Sequence, residues 1–296
     1  SENVFLKLIH ASSRETNETE SIFLFDLYMK ISVIIPIYNE AATCIDLIKR
    51  VQAVSLEKEI IVIDDGSTDN SKKLADLWSE RDNRFKVVSK KNGGLASARN
   101  LGISLAVTKY IMPLDSDDII HKDLVTEFNK SIQSEEFDLI SFDVEFFGIR
   151  SGKLVFPNFS YQQLLLQNCF IACSIFKKDL WTEAEGYDEN LKSFEDWDFW
   201  IRALNHKSKI KHIPKVLYFY RKHSTGSLTN TFKNNPEYYF GLYDYVYTKN
   251  KSIYQENFPN PILAYQENEA LRQFNSKVKN TFFFRLYTIF KRIIKK

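Results

Sequence analysis

The sequence predicts an α/β fold: a mixed, mostly parallel sheet flanked by helices, with a helical C-terminal extension. Short β-branched runs alternate with stretches of helical spacing, and a polar or glycine-bearing cluster follows each of four such runs at the same end. From about residue 235 the chain becomes rich in Tyr, Phe and Lys, with helical stretches.

The elements follow in order. "KISVIIPIY" (30–38) reads as a buried strand, and "AATCIDLIKRV" (41–51) places Cys44, Ile45, Ile48 and Val51 near helical spacing. "EIIVIDDGSTD" (59–69) is a strand running into acids, a glycine turn and a helix start that Thr68 or Asp69 can cap. "FKVVS" (85–89) is a strand, "NGGLASARNLGISLAV" (92–107) a glycine-rich loop entering a helix, and "KYIMPL" (109–114) a strand ending at acids. Further on, "LISFDVEFF" (139–147) reads as a strand, "YQQLLLQN" (161–168) as a helix and "KIKHIPKVLYFYRKH" (209–223) as one or two strands. In such sheets ligands sit beyond the carboxyl ends of the strands. The clusters Asn39-Glu40, Asp64-Asp65-Gly66, Asn92-Gly93-Gly94 and Asp115 to Asp118 all fall there.

Bulk properties set limits. With 296 residues and 44% apolar side chains the chain can bury a sizeable core. A net charge of +2 makes no demand for a nucleic-acid partner. Cys44, Cys169 and Cys173 show no metal spacing and read as reduced core thiols of a cytoplasmic protein. No run is long and apolar enough to span a bilayer. Met29-Lys30 directly precedes the first strand, so residues 1–28 are expected to be an N-terminal extension that the fold does not need.

The chemistry-bearing residues lie in the same clusters. "YIMPLDSDDII" (110–120) packs Asp115, Asp117 and Asp118 into four positions, where carboxylates are costly unless something pairs with them. In an extended segment Asp115 and Asp117 point the same way and face one hard divalent cation. Alternatively, Asp117 or Asp118 caps a helix beginning near Ile119. Asp64 and Asp65 suit turn chemistry before Gly66. Gly93 and Gly94 let the backbone approach a ligand, without a GxGxxG or P-loop pattern. "FEDWDFWIRAL" (194–204) puts Glu195 and Asp196 at a helix start, where the macrodipole favours acids.

Together "VIIPIYNE", "EIIVIDDGSTDNS", "NGGLASARNLG", "LDSDD" and "FEDWDFW" resemble glycosyltransferase family 2, with the GT-A fold, over roughly residues 31–225. The resemblance implies a sugar transfer from a nucleotide-sugar, foremost a UDP-sugar, to an acceptor hydroxyl with inversion. It implies a DXD motif at Asp115-x-Asp117, with manganese or magnesium bridging Asp117 to the donor diphosphate and Asp115 nearer the ribose. His223 stands where some members place a third ligand. Asp65 would accept from the uracil imide, Tyr38 would stack on or border the base, and Pro36, Asn39 and Glu40 would shape its pocket. Gly93 and Ser116 fall in the nucleotide site. Arg99 would reach the sugar–phosphate region or pair with Asp115. Asp196 would be the general base, with Glu195 and Asp198 the next candidates. Trp197 and Trp200 either line the acceptor site or face the core.

These assignments divide the chain into a catalytic domain over 29–232, with a nucleotide-binding half (29–120) and an acceptor-binding half (121–232), and a C-terminal extension over 233–296. The expected partners are the donor and a carbohydrate or lipid-linked acceptor of surface polysaccharide or glycolipid synthesis. "NSKVKNTFFFRLYTIFKRIIKK" (275–296) separates an aromatic-aliphatic face from a basic one and suits an anionic membrane surface, which would place the protein on the inner face of the plasma membrane. The same face also suits packing on protein. Two other readings stand beside the transferase. A nucleotidyltransferase would carry a basic, glycine-rich loop after the first strand, where "PIYNEAAT" has none. A silent nucleotide-sugar binder would not need Asp196.

Overall fold

The computed structural model describes residues 31–43, 51, 58–223 and 235–258, and isolated residues between 260 and 281. The segment 1–28, Cys44, most of the 41–51 stretch and all of 275–296 except residues 276–278 and 281 lie outside the described residues. The chain divides into two compact units, Ser1–Val246 and Tyr247–Lys296.

In the first unit, β1 (Ile31–Ile37), β2 (Lys58–Asp64), β3 (Phe85–Ser89) and β4 (Tyr110–Pro113) form a parallel sheet in the order β3-β2-β1-β4. Every residue of β1 is buried, as a strand covered on both faces must be. Pro36 survives in this strand because β4 pairs with β1 only as far as Ile34. Ile34 sends its carbonyl to Leu114 on that side, so the N–H that Pro36 lacks would have pointed past the end of β4. Helices α1 (Ser71–Ser79) and α2 (Leu95–Leu105) connect these strands. Asp69 rather than Thr68 holds the start of α1, accepting the Ser71 N–H at 2.9 Å.

Beyond β4 the sheet turns mixed. It continues through β8 (Ile175–Lys177), β6 (Leu139–Gly148), β9 (Ile210–Lys222) and β5 (Ile119–Ile120), and β7 (Gly152–Leu154) pairs with β6. The stretch 209–223 is therefore a single strand, and it runs parallel to β6. Helices α3 (Leu124–Ile132), α4 (Tyr161–Leu166), α5 (Lys178–Glu183) and α6 (Glu195–Ala203) complete this half. α7 (Pro236–Lys249) and α8 (Lys251–Asn257) bear out the helical reading after residue 235.

Two local expectations are corrected. No helix begins near Ile119: Ile119 and Ile120 pair with Phe219 and Tyr218 of β9, and α3 starts only at Leu124. Nor is the acidic segment extended. The Asp118 N–H reaches the Asp115 carbonyl at 3.2 Å, which closes a turn. The cause is the buried Asp118 carboxylate, which swings inward to accept from the Tyr218 hydroxyl at 2.6 Å and the Arg221 N–H at 2.7 Å. Local alternation gives way to a long-range pair of hydrogen bonds.

Candidate active site

The four polar clusters meet at the carboxyl ends of β1 to β4, as the strand pattern predicts. Asn39, in a left-handed conformation at φ 55°, joins the first two: its Oδ1 accepts the Thr68 N–H at 2.8 Å, and its own N–H donates to the Ser67 hydroxyl at 3.0 Å. The Glu40 N–H donates to the Ser71 hydroxyl at 2.7 Å. Tyr38 stands 48% exposed at the rim, free to offer a ring face. Asp64 does the turn chemistry, accepting the Ser67 N–H at 3.1 Å.

Asp65 is buried under the glycine loop. Its carboxylate accepts from Lys90 Nζ at 2.9 Å, the Gly93 N–H at 3.0 Å and the Gly94 N–H at 2.7 Å. It thus caps α2 with an anion, where the helix presents unpaired N–H groups. Gly94 is the N-cap at φ 89°, a backbone conformation that glycine reaches without strain. Lys90 and Gly94 each reach one oxygen and the Gly93 N–H is shared between both, at 3.0 and 3.2 Å, so all of about four acceptor positions on the carboxylate are engaged.

Arg99 is the centre of the site. Only 1% exposed, its fork donates to Asp115 at 2.7 Å and to Glu195 at 2.7 Å. Of the two roles expected for it, pairing with Asp115 is the one its burial permits. Its Nε and the nearby Tyr187 hydroxyl have no hydrogen-bond partner among the described residues. Asp115, Ser116 and Asp117 are half-exposed along the turn. His223 Nε2 lies 2.7 Å from Asp117 Oδ2, so the fold brings together the residues that the sequence picks out at 106 positions' separation.

Asp117 and His223 fit a hard divalent cation, while the Asp115 carboxylate is turned to Arg99. In an octahedral shell with bonds of about 2.1 Å, neighbouring donor atoms stand about 3 Å apart, near the Asp117–His223 spacing. A second group, Asp115, Asp118 and Cys173, has donor atoms within 4.8 Å of one another. Its chemistry suits a cation less well. Asp118 already accepts from Tyr218 and Arg221, and its carboxyl is pushed up to about 8, first by burial and then by the charges of Asp115 and Asp117. Cys173 is buried and held as a thiol, because burial raises it well above its ordinary range.

Helix α6 sorts its acids. Glu195 belongs to Arg99. Asp198, fully buried, is bridged by Arg202 at 2.8 Å, and Arg202 also donates to the carbonyls of Ala184 and Gly186. Among the described residues Asp196 makes no ion pair; it accepts from Asn168 Nδ2 at 2.9 Å and from the Trp197 N–H at 2.8 Å. Burial, with the Glu195 charge beside it, pushes its carboxyl up to about 7. Phe194 just before it is left-handed at φ 65°, a strained conformation for a bulky residue. Its ring packs against Trp197, Tyr239 and Tyr243 at centroid distances of 5.6, 5.8 and 5.0 Å. Trp200 is wholly buried in the core; Trp197 is 4% exposed and donates to the Leu164 carbonyl at 2.6 Å. Sequence reasoning misses Asn168, Tyr218, Tyr239 and Tyr243, because none carries a local signal and each reaches the site through tertiary contacts.

A mixed sheet with a metal-compatible acidic turn beyond β4, and a carboxylate on α6 that makes no ion pair among the described residues, fits a glycosyltransferase of the GT-A type. The family profile "Glycosyl transferase family 2" matches residues 32–177. Glycosyltransferase GlyG of Streptococcus pneumoniae is 31% identical over 223 residues, covering 68% of this chain and 73% of that protein. Chondroitin synthase of Pasteurella multocida is 29% identical over 196 residues, 64% of this chain but 20% of that protein. Residues 1–349 of S. aureus TarS, solved with UDP-GlcNAc, superpose with a TM-score of 0.60 at 22% identity, covering 68% of this chain and 61% of that one. The chain belongs to glycosyltransferase family 2 and is a glycosyltransferase enzyme. It spans most of GlyG, and smaller parts of the synthase and of TarS. Among the described residues no helix is long and apolar enough to cross a membrane.

Proposed function

We propose that the chain transfers a sugar from a UDP-sugar to an acceptor hydroxyl, with inversion and with a divalent metal, in surface polysaccharide or glycolipid synthesis. The observation that carries this is Asp196: alone among the first-turn acids of α6 it has no cationic partner among the described residues, and its carboxyl sits near neutrality. A base of that kind is matched to removing a hydroxyl proton at physiological pH. The UDP-GlcNAc bound to TarS and the polysaccharide made by a chondroitin synthase support the choice of donor and acceptor class.

In this reading residues 29–120 hold the donor, 121–232 the acceptor, and 233–296 form the helical extension. Tyr38 covers the base, and Asp65 accepts from the uracil imide in place of the longer, 3.2 Å half of its shared bond from the Gly93 N–H. Pro36, Asn39, Glu40, Gly93 and Ser116 shape the nucleotide pocket, with Pro36 acting from within β1. Asp117, Asp115 and His223 would hold manganese or magnesium, which when bound offsets charge on the departing diphosphate. Arg99 fixes Asp115 and Glu195 in position. Asn168 and the Trp197 N–H aim the Asp196 carboxylate. Asp196 takes the proton from the acceptor hydroxyl as its oxygen bonds to the anomeric carbon, and the bond to the diphosphate oxygen breaks on the opposite face.

Asp196→Asn keeps size and shape but cannot accept the proton. Transfer should fall about 100- to 10,000-fold while UDP affinity holds. Near wild-type turnover would remove Asp196 from this role. A silent nucleotide-sugar binder would show no turnover for the substitution to abolish. The segment 275–296 would dock on anionic membrane through its basic face, each cation contributing about 1 kcal/mol. Liposome co-sedimentation of the full chain and of a chain ending at Asn275 tests this. Equal pelleting of both with anionic vesicles rules the segment out as the anchor.

A further inference from the structure

A cavity of about 210 Å³ lies between β6, β9 and the segment that follows β7. We propose that it is a second carbohydrate subsite, holding a non-reacting pyranose ring of the acceptor; this rests on the transferase reading above.

The lining combines two chemistries. Ser141 and His212 are cross-strand partners on β6 and β9, and the Ser141 hydroxyl lies 3.0 Å from His212 Nδ1. His212 Nε2 lies 3.1 Å from Asp143 Oδ1, and Lys153 Nζ donates to Asp143 Oδ2 at 3.3 Å. With Asp143 ionised, the His212 Nε2–H donates to it and Nδ1 accepts from Ser141. Every hydrogen in this chain is then committed in one direction. The Ser141 oxygen keeps its lone pairs, Asp143 keeps acceptor positions and Lys153 keeps donors. Sugar hydroxyls need such a mixture, because each both donates and accepts. Aromatic rings also line the cavity: Phe156, Phe159 and Phe170, with the Phe159 and Phe170 centroids 5.3 Å apart. A pyranose presents hydroxyls at its edge and C–H groups on its face, and this cavity offers a partner to each. Its volume falls below the range of about 300–1,000 Å³ typical of drug-sized ligands, which suits one ring and excludes a nucleotide-sugar.

Two structural links tie the cavity to the chemistry. Asn168, which holds Asp196, is followed immediately by Cys169, Phe170 and Ile171 of the cavity wall. Phe170 also packs edge-on against Trp200 of α6 at 6.2 Å, and α6 carries Asp196 in its first turn. A register shift in β9 between the partners of Phe142 and Asp143 leaves Pro214 and Lys215 unpaired and aims the polar side chains on either side of the bulge.

The test is saturation-transfer NMR with free GlcNAc, GalNAc, glucose and glucuronic acid, on the full chain with manganese, first without UDP and then with UDP titrated to saturation. At least one sugar should give a signal that UDP does not displace. The signal should weaken about tenfold in His212→Ala/Asn158→Ala, whose side chains are exposed and outside the core. Val155→Trp, at a position 80% exposed on the cavity rim, should weaken it as well by blocking entry. Absence of any sugar signal overturns the proposal, as does displacement by UDP or an unchanged signal in both variants. UDP affinity, read on the same samples, tests the transferase reading separately.

Discussion

Arg99 and Asp196 show what single side chains decide in this site. The guanidinium fork holds Asp115 and Glu195 and leaves Asp196 without an ion pair among the described residues, while burial and the Glu195 charge raise the Asp196 carboxyl against the lowering pull of Arg99. The free enzyme should therefore show an acid limb in kcat/KM near pH 7, where burial and Glu195 place the Asp196 carboxyl. The sign follows from the role: below that pH Asp196 carries a proton and cannot take another. The limb should vanish from the residual rate of Asp196→Asn. A limb unmoved in that variant would assign it to another group. Much of this was legible beforehand. Asp115, Asp117, Asp196 and His223 announce themselves by residue type and order in short motifs. Asn168 and Tyr218 do not, since their partners Asp196 and Asp118 lie 28 and 100 residues away and only the packed fold supplies them. The burial of Arg99 was equally hidden, because an Arg inside a helix reads as a surface residue until its neighbours are known.

Helix α2 illustrates how an element is placed to serve the site. Its N-terminus is held by Asp65 and its second turn carries Arg99, so its seat on the sheet sets both. Gly102 makes that seat possible: an added Cβ would lie 2.3 Å from Ile34 Cγ2 and 3.2 Å from Ile63 Cγ1. Gly102→Ala gains about 1 kcal/mol of helix propensity but overpacks a fully buried contact, at about 1–3 kcal/mol or more. The clash should win, since Ile34 and Ile63 are wholly buried and have no room to turn. Denaturant unfolding should show net destabilisation, and catalysis should weaken as Arg99 shifts. A more stable variant would show that the helix slides without cost. The sequence makes the parallel half of the sheet plain because its strands are continuous apolar runs. β5, β7 and β8 escape it, with lengths of 2, 3 and 3 residues, too short to show a period.

Across the whole molecule, the raised carboxyls make stability depend on pH in a definite direction. Asp118 rises to about 8 and Asp196 to about 7 from an ordinary 3.8. Both bind protons more tightly folded than unfolded. The stability that protonation supplies is complete below about pH 4 and is lost as pH climbs through 7 to 8. Without metal, the thermal midpoint should fall between about pH 5.5 and about pH 8.5, and Asp118→Asn should flatten the slope. Manganese with UDP should stabilise more at the upper pH, because a cation favours ionised carboxylates. Equal slopes for Asp118→Asn and the parent chain would show that Asp118 is not the group concerned. The Arg99 fork has one further consequence, for biosynthesis. Asp115 leaves the ribosome 16 residues after Arg99, but Glu195 only 96 residues after it. At about 5–20 residues per second, the second carboxylate arrives on the order of 4–16 s after the first. For that interval the nascent parallel half holds its cation by one arm, and the other arm closes only when the later half is translated and docks.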